Sequence, residues 1–198
     1  MNKFIKKELE KCRIKLPEYN DDTTYLFIPR NEDVKNLEEL KINHFYLFEV
    51  ADYIINEPII GEAYSIFLKH QLTCPRTLSN GDFLEFNVVN HDNRVYIIDW
   101  GFGGIMPYSL DIARFIAHAT VDRATFPFYM SDNQKELFVE KVFEKLIRKP
   151  DHSQYIYDIK LAILNEYVEF VEADEDEDGW YYKHALQLSK EILEIQNK

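Results

Sequence analysis

Between Phe83 and Ile98 the apolar spacing shortens from the helical period of about 3.6 residues to about 2, and beyond Gly104 the helical period returns. The alternating stretch consists of two short runs, Phe83 to Val89 and Val95 to Ile98, joined by the turn-forming residues Asn90-His91-Asp92-Asn93-Arg94. Helical spacing follows over 109–121, 132–148, 155–171 and 180–196. It also precedes the break: Pro58 opens a helix with Ile59, Ala63, Tyr64, Phe67, Leu68 and Leu72 on its buried side, ending near Cys74-Pro75. Such a chain has strands for one hairpin, not for a multi-stranded central sheet with alternating helices. The expected class is mainly α with a small β-hairpin near residues 86–99 (α+β).

Upstream, residues 3–13 place Phe4, Ile5, Leu9 and Cys12 among charges as a short amphipathic helix, which Pro17 ends. Thr23 to Ile28, closed by Pro29, reads as a lone strand, and Asn31 is the expected N-cap of a helix over 33–56. There is no internal repeat. Residues 172–178, Glu172-Ala173-Asp174-Glu175-Asp176-Glu177-Asp178, are expected to form a solvated surface loop between the last two helices. The alternative is a negative lip that recruits a cationic substrate, helped by the rings of Trp180, Tyr181 and Tyr182. His91 and Asp92 have no second ligand cluster nearby in sequence, so a polar turn is expected there rather than a metal site.

Charge narrows the partners. Lys plus Arg number 23 against 35 Asp plus Glu, a formal charge of −12, and binding a polyanion needs clustered cations, so nucleic acid is not expected. Small molecules, cationic substrates and protein partners remain. No apolar run approaches the roughly 20 residues that span a bilayer, so no membrane partner is expected. Cys12 and Cys74 are too few for a disulfide framework, and with a charged N-terminus unlike a signal peptide they predict a cytoplasmic location.

The chemistry concentrates in residues 79–114. Asp82 stands five residues before Asn87, and Asp99 follows twelve later at the end of the run Val95-Tyr96-Ile97-Ile98. Phosphoryl transfer needs such a set: a carboxylate to orient and deprotonate a hydroxyl, and oxygen ligands for magnesium on nucleotide phosphates. A hairpin between Asn87 and Asp99 returns both to one end, toward Asp82.

Asn80-Gly81-Asp82 with Asn87, then Ile97-Ile98-Asp99-Trp100, then Leu110-Asp111-Ile112-Ala113-Arg114-Phe115, resembles the aminoglycoside phosphotransferase and choline kinase superfamily, of protein-kinase-like fold. The resemblance implies a helical catalytic lobe with Asp82 as catalytic base and Asn87 and Asp99 as ligands of magnesium on ATP or GTP. It implies Asp111 as a brace beneath the catalytic loop. The substrate it implies is a small molecule bearing a hydroxyl, such as an amino sugar, a choline-like alcohol or a sugar. The chain departs from the family in three places: Asn80 stands where His is usual, Leu84-Glu85-Phe86 where His-Pro-Gly is frequent, and Met106-Pro107 where Gly-Asp-Pro is common. Asn80 is able to hydrogen-bond in place of that His.

A complete enzyme of this family places a β-rich lobe ahead of the catalytic one, with a loop over the phosphates and a strand Lys paired to a helix Glu. Laid against it, residues 1–30 are a remnant of that lobe (helix, strand and hinge, with Glu8 or Glu10 as the helix acid), and 31–198 are the helical catalytic lobe. No glycine precedes Gly61, which excludes a glycine-rich phosphate loop from the first sixty residues. Weak nucleotide binding is therefore expected. Three readings stay open: a kinase homologue deficient in that lobe, a minimal phosphotransferase whose nucleotide is covered by a protein partner or second copy, and a non-catalytic pseudokinase-like binding module.

Overall fold

The computed structural model of the protein describes residues 57–71, 73–120, 128–147, 149–172, 176 and 178–196. The helix expected at 3–13, the strand at 23–28, the helix at 33–56 and the boundary at residue 30 lie outside them. The described chain is mainly helical with short antiparallel strands, an α+β architecture. Five helices are described: α1 (Pro58–His70), α2 (Tyr108–Ala117), α3 (Asp132–Lys145), α4 (His152–Glu172) and α5 (Trp180–Gln196).

Each helix follows from local chemistry. Pro58 sits at the first turn of α1, where its fixed φ helps and its missing N–H costs nothing, and Ile60, Ala63, Tyr64 and Phe67 recur at helical spacing on the buried face. Ser131 caps α3 through a capping box: its N–H donates to Gln134 Oε1 at 2.8 Å and its Oγ accepts from Gln134 N at 3.4 Å. At α5, Asp176 accepts the N–H groups of Tyr181 (2.7 Å) and Tyr182 (2.9 Å), and Asp178 accepts that of Trp180 (3.1 Å). These two acids of the 172–178 run thus satisfy helix-end donors and complement the positive end of the helix dipole. The remainder of that run, apart from the helical backbone of Glu172, lies outside the described residues.

The expected hairpin is present, with a tighter turn and a later first strand: within the run expected from Phe83 to Val89, Glu85–Asn87 form a single 3-10 turn and the strand begins only at Val88. Strands β2 (Val88–His91) and β3 (Arg94–Ile97) pair from Val88↔Ile97 to His91↔Arg94. The turn is only Asp92-Asn93, both at positive φ (49° and 58°), as a two-residue hairpin turn of this hand requires. His91 and Asp92 are both solvent-exposed there. A second ladder, which periodicity does not predict, joins β1 (Arg76–Ser79) to β4 (Gly104–Pro107), from Arg76↔Pro107 to Ser79↔Gly104. Met106-Pro107, the departure from the family's Gly-Asp-Pro, forms the end of β4.

The core has two parts that share α4. In one, Ile60, Tyr64 and Phe67 of α1 meet Leu161, Leu164 and Val168 of α4 and Ala185 and Ile192 of α5. In the other, Tyr108, Ile112 and Ile116 of α2 and Val139 of α3 pack on Tyr155 and Ile159 of α4. The rings of Trp180 and Tyr181 belong to this packing: Tyr181 is buried and Trp180 stacks on His184 at 3.8 Å. No described helix is long and apolar enough to cross a membrane.

Candidate functional site

β1 and β4 bring two loops side by side, and the candidate residues are on those loops. β1 runs into Asn80-Gly81-Asp82, and the segment 98–103 runs into β4, which passes directly to α2. Gly81 has φ of +80°, and a Cβ there would lie 2.3 Å from the Phe102 carbonyl oxygen. Only glycine permits this backbone conformation together with this approach.

Asp111, in the first turn of α2, holds the first loop. Its Oδ2 accepts the Asn80 N–H at 2.6 Å and its Oδ1 accepts the Gly81 N–H at 3.0 Å. Burial pushes the Asp111 carboxyl up, and the two N–H donors oppose that rise. Asn80 is buried and joins the loops: its Nδ2 donates to the carbonyls of Ile98 (3.2 Å) and Asp99 (3.0 Å), and its Oδ1 accepts the Asp82 N–H at 3.2 Å. An amide can serve both sides because it carries a donor and an acceptor.

Asp82 and Asn87 are in contact. Asn87 Nδ2 donates to the Asp82 carbonyl at 2.7 Å and to its Oδ2 at 3.3 Å, which leaves the Asn87 Oδ1 without a donor among the described residues. The Ile98 N–H donates to the Asn87 carbonyl at 2.9 Å, so Asn87 sits next to the strand end that carries Asp99. Asp99 itself is exposed and adopts φ of +53°, an unusual value for a residue with a Cβ. Its Oδ1 accepts only a long contact from Gly101 N at 3.4 Å. Strained backbone of this kind costs of order 1–3 kcal/mol and concentrates at functional sites. The set Asn87 and Asp99 is all oxygen, one neutral and one anionic, which suits a hard dication such as magnesium better than a soft metal.

Arg114, on α2, was legible in sequence only as part of the Leu110–Phe115 segment. Its Nε and Nη2 reach Asp82 Oδ1 at 2.9 and 2.8 Å, and its Nη1 reaches Glu166 at 3.0 Å and Glu169 at 3.6 Å, both on α4. Burial opposes the guanidinium charge, but the carboxylates of Glu166, Glu169 and Asp82 more than offset it and hold Arg114 protonated. Three carboxylates around one guanidinium leave an excess of negative charge. Burial and the neighbouring Glu166 push Glu169 up to about 8. The network continues inward, since Glu166 also contacts the buried His118 at 3.1 Å, whose other ring nitrogen meets Tyr181 Oη at 3.1 Å. The sequence signal for Glu166 was a charged residue beside Leu164 and Tyr167 on an otherwise apolar helix face.

No protein-family model and no curated protein matches the chain.

Proposed function

We propose that the protein is a small-molecule phosphotransferase of protein-kinase-like fold, transferring a phosphoryl group from a magnesium nucleotide to a hydroxyl. One observation carries the reading. Three stretches distant in sequence, at 80–87, 98–101 and 111–114, form one hydrogen-bonded cluster around Asp82. A fold that needed these acids only for local turns would have no reason to join all three.

Asn87 and Asp99 are the residues that would hold the magnesium, which when bound neutralises charge on the nucleotide phosphates. Asp82 accepts the substrate hydroxyl's proton and orients its oxygen. Arg114 fixes the Asp82 carboxylate in direction, and a loose phosphoryl-transfer transition state demands positioning above all. Val95, Ile98, Trp100 and Phe102 are exposed around Asp99, and a protein partner or second copy seated there would cover the nucleotide. ATP or GTP binds weakly in this reading, because no glycine precedes Gly61 to build a phosphate loop within that stretch.

A non-catalytic binding module is the second reading. It is favoured by the occupation of Asp82, whose Oδ1 is clamped by Arg114 and whose Oδ2 is held by Asn87. Calorimetry with nucleotide, with and without magnesium, separates the two when combined with a transfer assay. The Asp99→Ala variant should lose magnesium-dependent binding and transfer together. Asp82→Ala should keep binding and lose transfer by roughly 10²–10⁴-fold, the usual worth of general-base assistance. Absence of magnesium-dependent binding by the wild type at millimolar nucleotide would end the enzyme reading and leave the module.

A further inference from the structure

On the side of α4 that faces the end of α1, three side chains of mixed chemistry converge: His70 at the last position of α1, Cys74 in the turn that follows, and Asp158 on α4. One ligand atom from each lies within 4.8 Å of the other two. The Cys74 N–H donates to the His70 carbonyl at 2.9 Å, which folds the turn so that the two residues, four apart, share one side. We propose that His70, Cys74 and Asp158 form a binding site for a zinc-class transition-metal ion that ties the C-terminal end of α1 to α4, independent of the phosphotransferase reading.

The first argument is charge. Asp158 is 1% exposed, and among the described residues no lysine or arginine pairs with it. Its two firm contacts are neutral donors, Tyr108 Oη to Oδ2 at 2.5 Å and Gln154 Nε2 to Oδ1 at 2.6 Å. Its one potential counter-charge among the described residues is the His70 ring at 2.9 Å, and when that imidazole is neutral the buried carboxylate is costly, a cost that a bound cation removes.

The second argument is direction. His70 Nε2 lies 2.9 Å from Asp158 Oδ1, yet the two are not aligned as a hydrogen bond, and that ring nitrogen is buried without a hydrogen-bond partner. Two ligands aimed at a common third atom have this relation. Ligand atoms about 2.0–2.3 Å from a tetrahedral zinc stand about 3.3–3.6 Å apart, so the widest edge of the cluster has to close by only roughly 1 Å. The third argument is the set itself. Imidazole, thiol and carboxylate suit zinc, whereas magnesium takes oxygen alone. Tyr108 and Gln154 are already placed to orient the carboxylate as outer-shell partners. Arg76 is the adverse charge, but its buried guanidinium turns to donate to the Gln71 carbonyl at 3.2 Å. A nucleophilic role for Cys74 does not fit, because at 2% exposure no substrate reaches it.

The test uses the full chain, stripped with a chelator and titrated with Co2+, which takes zinc's ligands and reports thiolate coordination by a near-ultraviolet charge-transfer band. One equivalent should bind with that band, Zn2+ should displace it and raise the melting temperature, and Cys74→Ser should abolish the band while Cys12→Ser keeps it. If Cys74→Ser does not fold, His70→Gln serves in its place and should weaken Co2+ binding at least about tenfold. A wild type without the band, a band that survives Cys74→Ser or follows Cys12, or unchanged affinity in His70→Gln overturns the proposal.

Discussion

At the scale of single residues, two positions carry more than their type suggests. Gly81 combines φ of +80° with a Phe102 carbonyl oxygen 2.3 Å from where a Cβ would lie. Gly81→Ala therefore has to move the 98–103 segment, and we expect it to lower the melting temperature and to abolish any magnesium-dependent nucleotide binding. Unchanged binding would show that the loop apposition is dispensable. Glu169 is the second. Its carboxyl is pushed up to about 8 in the folded protein from an ordinary value of 4.5, so between those values the folded state binds more protons than the unfolded one. Its contribution to stability consequently falls as pH rises through that window, and the loss is complete above it. Glu169→Gln should thus be more stable than the wild type at about pH 9, by at least about 1 kcal/mol on a scale where one pKa unit is 1.36 kcal/mol. The gain should vanish near pH 4. Chemical denaturation of both proteins across that range measures it, and a pH-independent difference would reject burial and the Glu166 charge as the cause.

At the scale of elements, helix starts were legible and helix stops less so. Pro58 announces α1 and helical spacing from residue 132 announces α3, whose Ser131/Gln134 capping box is equally local, while α4 starts at His152 and not at the expected 155. Removing the Ser131 hydroxyl in Ser131→Ala should cost about 1 kcal/mol, while Ser131→Asp should retain most of it. For a chain of this size each kcal/mol is about 2–4 °C of melting temperature, readable by far-ultraviolet dichroism at 222 nm. No measurable loss in Ser131→Ala would show that the cap contributes nothing. By contrast α2 ends at Ala117 although helical spacing runs to residue 121. No Pro or Gly marks the stop. The reason is tertiary: His118 turns inward to Glu166 and Tyr181, and the Thr120 N–H bonds back to the His118 carbonyl at 2.8 Å.

At the scale of the whole molecule, α4 is the member common to both cores, facing α1 and α5 along one side and α2 and α3 along the other. That position explains its mixed face, where Asp158, Asn165 and Glu166 are all buried among apolar residues. Asn165 meets the Tyr64 hydroxyl at 3.0 Å, Asp158 meets Tyr108, and Glu166 meets Arg114 and His118. Packing around α4 and the candidate site are therefore coupled. Leu164 is fully buried in the first core, and Leu164→Ala should cost about 2–5 kcal/mol. A urea midpoint shifted by less than the equivalent of about 1 kcal/mol would mean that Leu164 does not anchor α4 in the first core.

Short-range chemistry was readable in advance. The mainly helical class, the hairpin with its polar turn, the start of α3 and the span of α5 follow from periods, caps and turn residues within a few positions of one another, whereas α3 ends at Lys145 and not at the expected 148. The grouping of Asp82 with Asn87 is of the same kind, since they stand five positions apart in the chain. What only the tertiary structure decided lies between residues far apart in sequence. The β1–β4 ladder joins two four-residue strands about thirty residues apart, too short to show a period. The Arg114 clamp on Asp82 and the gathering of His70, Cys74 and Asp158 depend on how α2 and α4 pack. A sequence pattern records which side a residue faces. It does not record which residue of another element faces it, because that is set by packing geometry and loop closure rather than by local preference.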